Sequence, residues 1–173
     1  MTAEVDLLVG REPEIGAIET LFDGVDGSHT ALIIRGEPGI GKSALLSDAS
    51  RRAKDRGMVV LRTSGVQSEA RMPFAGLHQL LWPLHDQIDA LPAPQREAVL
   101  AAFGMVDTET PDLFLISLAT LNLLSTCAHS SPVVLIADDT QWLDRSTCEV
   151  LAFVARRLAS EPIVLLASDR GAF

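Results

Sequence analysis

Eight consecutive residues, Gly36-Glu37-Pro38-Gly39-Ile40-Gly41-Lys42-Ser43, have the types and spacing to hold a chain of phosphates. They complete the pattern G-x-x-x-x-G-K-S. Gly36, Gly39 and Gly41 allow backbone turns that side chains would block, so that successive N–H groups converge on phosphate oxygens. Lys42 is spaced to reach the β- and γ-phosphates, and Ser43 to give its hydroxyl to Mg²⁺. Ala44 continues into a helix whose N-terminus adds a positive dipole end. A second pair of chemistry-bearing residues, Asp138 and Asp139, closes the apolar run Pro132-Val133-Val134-Leu135-Ile136-Ala137. One carboxylate can hold a Mg²⁺ shell through water, because this ion gives up its waters reluctantly. The next can orient or deprotonate an attacking water. The reading assigns Asp138 to the metal and Asp139 to the water. Together the two groups imply binding of a nucleoside triphosphate with Mg²⁺.

Such chemistry needs elements that aim it. Ala31-Leu32-Ile33-Ile34 reads as a buried strand feeding the loop, and Ala44 to Arg56 as a helix with Leu45, Leu46, Ala49 and Ala53 on one face. The run ending in Asp138 reads as a parallel strand buried on both faces. Its carboxyl end would then bring both aspartates beside the phosphate loop. Before these lies a helix carrying Ile15, Ile18 and Phe22, closed by Asp23-Gly24. Gly57 stops the loop helix, and Met58 to Thr63 forms a second strand. Two helices are predicted from Pro73 to about Asp89, kinked at Trp82-Pro83, and from Pro94 to Phe103. Thr110 as cap and Pro111 as first residue open a helix to about His129 that is apolar nearly all round, hence buried. A helix from Asp144 to about Ala159 turns Val150, Leu151, Val154 and Leu158 inward, and Ile163 to Ala167 is a last strand. The alternation predicts an α/β fold with a three-layer parallel sheet. One domain is expected, with an N-terminal segment (1–29), a strand-loop-helix-strand unit (30–63), a helical insertion (64–131) and a closing unit (132–173).

Composition agrees with a globular domain. A chain of 173 residues buries roughly 70% of its unfolded surface. Its 47% hydrophobic residues are interleaved with 21% charged ones. Leu113 to Ala128 is too short and too polar to span a bilayer, so no membrane partner is expected. The start, Met1-Thr2-Ala3-Glu4-Val5-Asp6, has no basic n-region, and a cytoplasmic protein is expected. Cys127 and Cys148 are then reduced, small core residues in helices. The formal charge of −9 argues against a nucleic-acid surface, which needs a basic patch. The basic clusters at Arg51 to Arg56 and Arg156-Arg157 fall at helix C-termini, where cations suit the macrodipole. His78 and His85 lie two helical turns apart with no third ligand, and read as surface histidines rather than a metal site.

Beyond the loop, three further strings bear on family: Leu8-Val9-Gly10-Arg11-Glu12, Pro73-Phe74-Ala75-Gly76-Leu77-His78-Gln79-Leu80-Leu81, and Ala137-Asp138-Asp139-Thr140-Gln141-Trp142-Leu143-Asp144. With them the chain resembles, essentially end to end, the ATPase domain of large LuxR-type transcriptional regulators. That group includes the maltose-regulon activator and lies within the STAND branch of AAA-like P-loop NTPases. The Asp-Asp-x-Gln-Trp-Leu-Asp string is the most particular part. The resemblance implies ATP and ADP as ligands, with Val9, Gly10 and Arg11 near the adenine; a solvated helix-start residue is the alternative for Arg11. It also implies a γ-phosphate sensor at Ser168, Asp169 or Arg170, and Arg170 is favoured, acting as an arginine finger does. A surface arginine is the alternative there. Trp142 reads as a packing residue rather than a base-stacking one.

Relatives of this kind continue into a fifth strand, a helical lid and domains ending in a DNA-binding helix-turn-helix. Measured against them, the chain is expected to lack the fifth strand and the lid. The strand Ala31 to Ile34 would then be an exposed apolar edge, open to self-association or to a covering protein. Three functions fit these residues. The first is an ATP-binding switch with slow hydrolysis, without its own DNA-binding domain. A free-standing phosphotransferase is the second, although no Arg-rich lid lies between the two motifs. The third is a non-catalytic interaction fragment of a decayed ATPase, against which intact Lys42, Ser43, Asp138 and Asp139 argue. Adenine preference comes from the resemblance, as no N-K-x-D string is present.

Overall fold

A computed structural model describes residues 10–24, 31–106, 112–158 and 161–170. Its elements run in order α1 (Glu12–Asp23), β1 (Ala31–Arg35), α2 (Lys42–Asp55), β2 (Val59–Ser64), α3 (Ala75–Leu81), a 3₁₀ helix (Trp82–Ala90), α4 (Ala93–Ala102), α5 (Leu113–Ala128), β3 (Val133–Asp138), a short 3₁₀ turn (Thr140–Trp142), α6 (Arg145–Ala155) and β4 (Ile163–Asp169). The four strands form one parallel sheet in the order β1-β4-β3-β2.

Period-two alternation sorts the strand residues into two cores. Val133, Leu135 and Ala137 of β3, with Ile163, Leu165 and Ala167 of β4, join the cluster built by α3, α4, α5 and α6. Val134, Ile136, Val164 and Leu166 face the other way, onto Ile18, Leu21 and Phe22 of α1 and Leu45, Leu46 and Ala49 of α2. A sheet with helical cores on both faces is a three-layer α/β fold. Every residue of β3 is buried, which is why that segment reads as a continuous apolar run.

β1 departs from the buried strand that its apolar run suggests and is instead the exposed edge that the resemblance led one to expect. Among the described residues this strand pairs with β4 alone, and its residues alternate between exposed and half-buried. Leu32 and Ile34 pack on the α2 side, while Ile33 is 54% exposed on the opposite side. Apolar composition alone cannot distinguish an edge strand from a central one.

Several boundaries also move. Pro83 does more than kink its helix: α3 ends at Leu81 and the chain tightens into the 3₁₀ helix, since proline removes a donor and crowds the preceding turn. Thr110 and Pro111 lie outside the described residues. The α5 cap is Asp112, whose carboxylate accepts from the amides of Phe114 and Leu115 at 2.8 and 3.0 Å. That helix is not buried all round, because Phe114 is 59% exposed. β4 runs two residues past Ala167, to Asp169, and α6 closes at Ala155. Among the described residues no helix is long and apolar enough to cross a membrane. Cys127 and Cys148 are free and half-buried in α5 and α6, and burial pushes both thiols up from their ordinary pKa.

Candidate functional site

The phosphate loop connects β1 to α2. Gly39 and Gly41 sit at φ +80° and +93°, where a side chain would be strained. Gly36 has an ordinary φ; a Cβ there would instead come within 3.1 Å of the Ile40 side chain. Gly41 caps α2 and Lys42 is its first residue, so the first N–H groups of the helix have no intrahelical partner. Lys42 is buried, and its Nζ donates to the carbonyls of Gly36 at 2.7 Å and Glu37 at 3.0 Å. The ammonium is thus folded onto the loop backbone, and Lys42 is also one of the residues lining the cleft beside the loop.

Parallel register brings the second motif alongside. Ser43 Oγ donates to Asp138 Oδ1 at 3.2 Å, although 95 residues separate the two. A carboxylate and a hydroxyl in contact form an all-oxygen donor pair that suits Mg²⁺. Among the described residues, no three or more His, Cys, Asp or Glu side chains group to hold a metal.

Asp139 follows in the left-handed region, at φ 50° and ψ 51°. Non-glycine residues rarely remain there unless their surroundings hold them, and such positions cluster at functional sites. Here the Asp139 amide donates to Ser168 Oγ at 2.8 Å and Asp138 Oδ1 at 3.1 Å. Its carboxylate accepts from Gln141 Nε2 at 2.8 Å. The other end of the Gln141 amide accepts from the Arg170 backbone N–H at 3.2 Å. Pro38, Gly39, Gly41, Lys42, Ser43, Ala44, Asp139 and Arg170 together line a cleft of 240 Å³.

The three sensor candidates separate. Ser168 and Asp169 belong to β4 itself, not to the loop after it. Ser168 is buried and donates to Asp138 Oδ1 at 2.6 Å, whereas Arg170 lines the cleft. The Arg170 guanidinium lies 5.7 Å from the centre of the Trp142 ring. Val9 is outside the described residues. Gly10 is exposed at the start of α1. Arg11 pairs with Glu14 at 2.7 Å and also donates to the Ile40 carbonyl, fastening α1 to the phosphate loop. His78 and His85 flank the Trp82 ring, with centroids at 5.4 and 4.9 Å.

Four residues of the site escaped the reading of the sequence. Gly65 follows β2, and a Cβ there would stand 2.3 Å from the Asp139 carbonyl oxygen and 2.6 Å from the Leu143 amide nitrogen. Asp144 is buried and accepts from the amides of Phe74 (2.8 Å), Gly76 (3.1 Å) and Thr147 (2.9 Å) and from the Thr147 hydroxyl (2.6 Å). It ties the start of α3 to the segment after the aspartates. Gln141 bridges Asp139 and Arg170, as described above. Arg62 of β2 reaches Asp138. Gln141 and Asp144 lie in the most particular string of the sequence, and Arg62 is a charge inside an apolar strand; those were the available signals.

Residues 7–166 match the AAA ATPase domain family. The chain belongs to that family. This AAA ATPase domain is 27% identical over 195 aligned positions to an uncharacterized protein of Rhizobium meliloti (strain 1021), covering 96% of the chain. It spans only 19% of that relative's length. Among solved structures, its fold is similar to the Drosophila ORC bound to DNA (TM-score 0.63, 19% identity, 96% of this chain and 39% of that one). It is also similar to Cdc6p from Pyrobaculum aerophilum (TM-score 0.58, 14% identity, 99% and 42%). A third likeness is to the Aeropyrum pernix ORC2 protein in its ADPNP–ADP complexes (TM-score 0.56, 18% identity, 94% and 41%). At these identities the likeness is one of fold. The fold is that of an α/β P-loop NTPase.

Proposed function

We propose that this AAA ATPase domain is an ATP-binding switch module of a large LuxR-type transcriptional regulator, with slow hydrolysis of ATP. The observation that carries the reading is the cleft that joins the loop residues Pro38, Gly39, Gly41, Lys42, Ser43 and Ala44 to Asp139 and Arg170. Loop amides and Lys42 would hold the β- and γ-phosphates, while Ser43 and Asp138 would share the metal. Mg²⁺ held by Ser43 and Asp138 would supply positive charge to offset the negative charge of the phosphates. Asp139 would orient the attacking water, and Arg170 would meet the γ-phosphate. Because Gln141 joins the Asp139 carboxylate to the Arg170 backbone, loss of the γ-phosphate would be felt at both ends of that bridge. The regulator context is supported by the Asp138-to-Asp144 string and the Leu8-Val9-Gly10-Arg11-Glu12 segment. Direct DNA contact is not assigned to this segment: the formal charge is −9, and Arg51, Arg52 and Arg56 are paired with Asp48, Glu19 and Asp23.

Titration of a fluorescent ATP analogue with Mg²⁺, comparing wild type with Lys42→Ala, tests the reading. Loss of a charge-assisted contact costs roughly 1.5–3 kcal/mol, so affinity should fall about tenfold to a hundredfold. Phosphate release should be slow and need no acceptor. Folded protein that binds no ATP would sink the proposal, and phosphate transfer to an acceptor would replace it with a kinase.

A further inference from the structure

The two oxygens of Asp138 face different neighbours. The side chain is 5% exposed. Oδ1 accepts from three neutral donors: the Ser168 hydroxyl at 2.6 Å, the Asp139 amide at 3.1 Å and the Ser43 hydroxyl at 3.2 Å. Oδ2 instead meets a cation, Arg62 Nη2 at 3.2 Å. The same guanidinium reaches the Ser47 hydroxyl of α2 through Nη1 at 3.4 Å. Arg62 stands in register with Ile136 of β3 and comes in from the side of the sheet that carries α2. Lys42 is turned toward the Gly36 and Glu37 carbonyls. Among the described residues, Arg62 is thus the cation paired with Asp138.

A buried carboxylate left without a counter-charge is strongly unfavourable. Arg62 supplies one, yet Asp138 is also the carboxylate placed to share a divalent ion with Ser43. A guanidinium and a doubly charged ion beside one carboxylate repel each other, and the partly buried surroundings screen that repulsion less than water does. Arg62 can yield: its side chain is 39% exposed, and a long flexible stem lets its head move toward Ser47 and solvent while the stem stays packed.

We infer that Arg62 is the resident counter-ion of Asp138, and that metal binding at this site exchanges it. Arg62 releases Oδ2 as the metal is taken up and takes it back when the metal leaves. It is therefore a positioning residue that keeps Asp138 oriented while weakening the hold on Mg²⁺. It also links metal occupancy to β2, the strand that leads into Gly65 and so to the backbone of Asp139. The inference rests on the nucleotide-site reading above.

The test is the ratio of ATP affinity in excess Mg²⁺ to that in EDTA, which cancels any direct pull of Arg62 on the phosphates. The variants are Arg62→Met, Arg62→Gln, which keeps a neutral donor for Asp138, and Arg62→Lys, which keeps the charge. A neighbouring charge typically moves an ionic equilibrium by one to three decades, so the ratio should rise about tenfold in the Met and Gln variants and stay near wild type in the Lys variant. In EDTA without nucleotide, Arg62→Met should lower the melting temperature, and adding Asp138→Asn should recover part of the loss, as expected of coupled neighbours. An unchanged or smaller ratio in the neutral variants overturns the exchange while leaving the nucleotide site standing. ATP binding by neither wild type nor variants overturns the nucleotide-site reading, and the exchange with it.

Discussion

Lys42, Asp138 and Asp139 are all engaged by groups of the protein itself. Lys42 is held by loop carbonyls, Asp138 by Arg62 and two hydroxyls, and Asp139 by Gln141. Such partners fix each side chain in place. Asp144 acts differently, because its four hydrogen bonds all go to structural donors. It caps α6 through the Thr147 amide and hydroxyl and holds the α3 entry through Phe74 and Gly76. Phe74 itself sits at φ 64°, a conformation that persists only where surroundings compensate it. Asp144→Ala should therefore cost about 3 kcal/mol or more, since it strands several buried donors. Urea denaturation measures this. A loss below about 1 kcal/mol would show that water replaces the carboxylate.

At the scale of elements, two junctions matter. The first is where β2 ends against the loop after β3. The Gly65 amide donates to the Asp138 carbonyl at 2.9 Å, and the backbones approach so closely that a side chain has no room. Gly65→Ala should cost about 1–3 kcal/mol through overpacking and should displace Asp139. Both stability and ATP turnover should fall together; a stable variant with wild-type turnover would contradict this. The second junction clamps α1 to α2. Arg52 joins Asp48 at 2.5 Å and Glu19 at 2.8 Å, and Arg56 joins Asp23 at 2.8 Å. Burial opposes the Asp48 charge, but hydrogen bonds from Arg52 and Arg51 outweigh it and hold the carboxyl below the usual Asp range. A folded-state pKa lowered in this way stabilises the protein above the ordinary Asp value, and that contribution is lost as pH falls through the lower folded value. Asp48→Asn should cost about 1 kcal/mol at neutral pH. Denaturation curves of the two proteins should converge on acidification through that range.

For the whole molecule, the described sheet has an open side. Ala31 and Ile33 of β1 join Leu151, Ala152, Ala155 and Leu165 around an apolar recess of 410 Å³. A parallel sheet is ordinarily covered on both faces, and an apolar edge strand invites pairing with other chains. The net charge of −9 opposes association without covering that surface. Ile33→Lys should leave the fold intact and raise the concentration at which the protein stays monomeric by light scattering. Unaltered association would place the contact elsewhere.

The phosphate loop, the paired aspartates and the strand-and-helix alternation were legible in the sequence by itself. A phosphate cradle is built by neighbours along the chain, so glycine spacing and the adjoining apolar runs carry its signature. The continuous apolar runs marked the strands but not which face of each would meet which core, nor which side chains of neighbouring strands would meet. Hence the sequence offered no route to the contact of Arg62 with Asp138 across 76 residues, nor to that of Asp144 with Phe74 across 70. It also did not show that β4 would extend to place Ser168 against Asp138. Those contacts follow from strand order and register, which depend on how the two cores pack, and tertiary structure alone decided them.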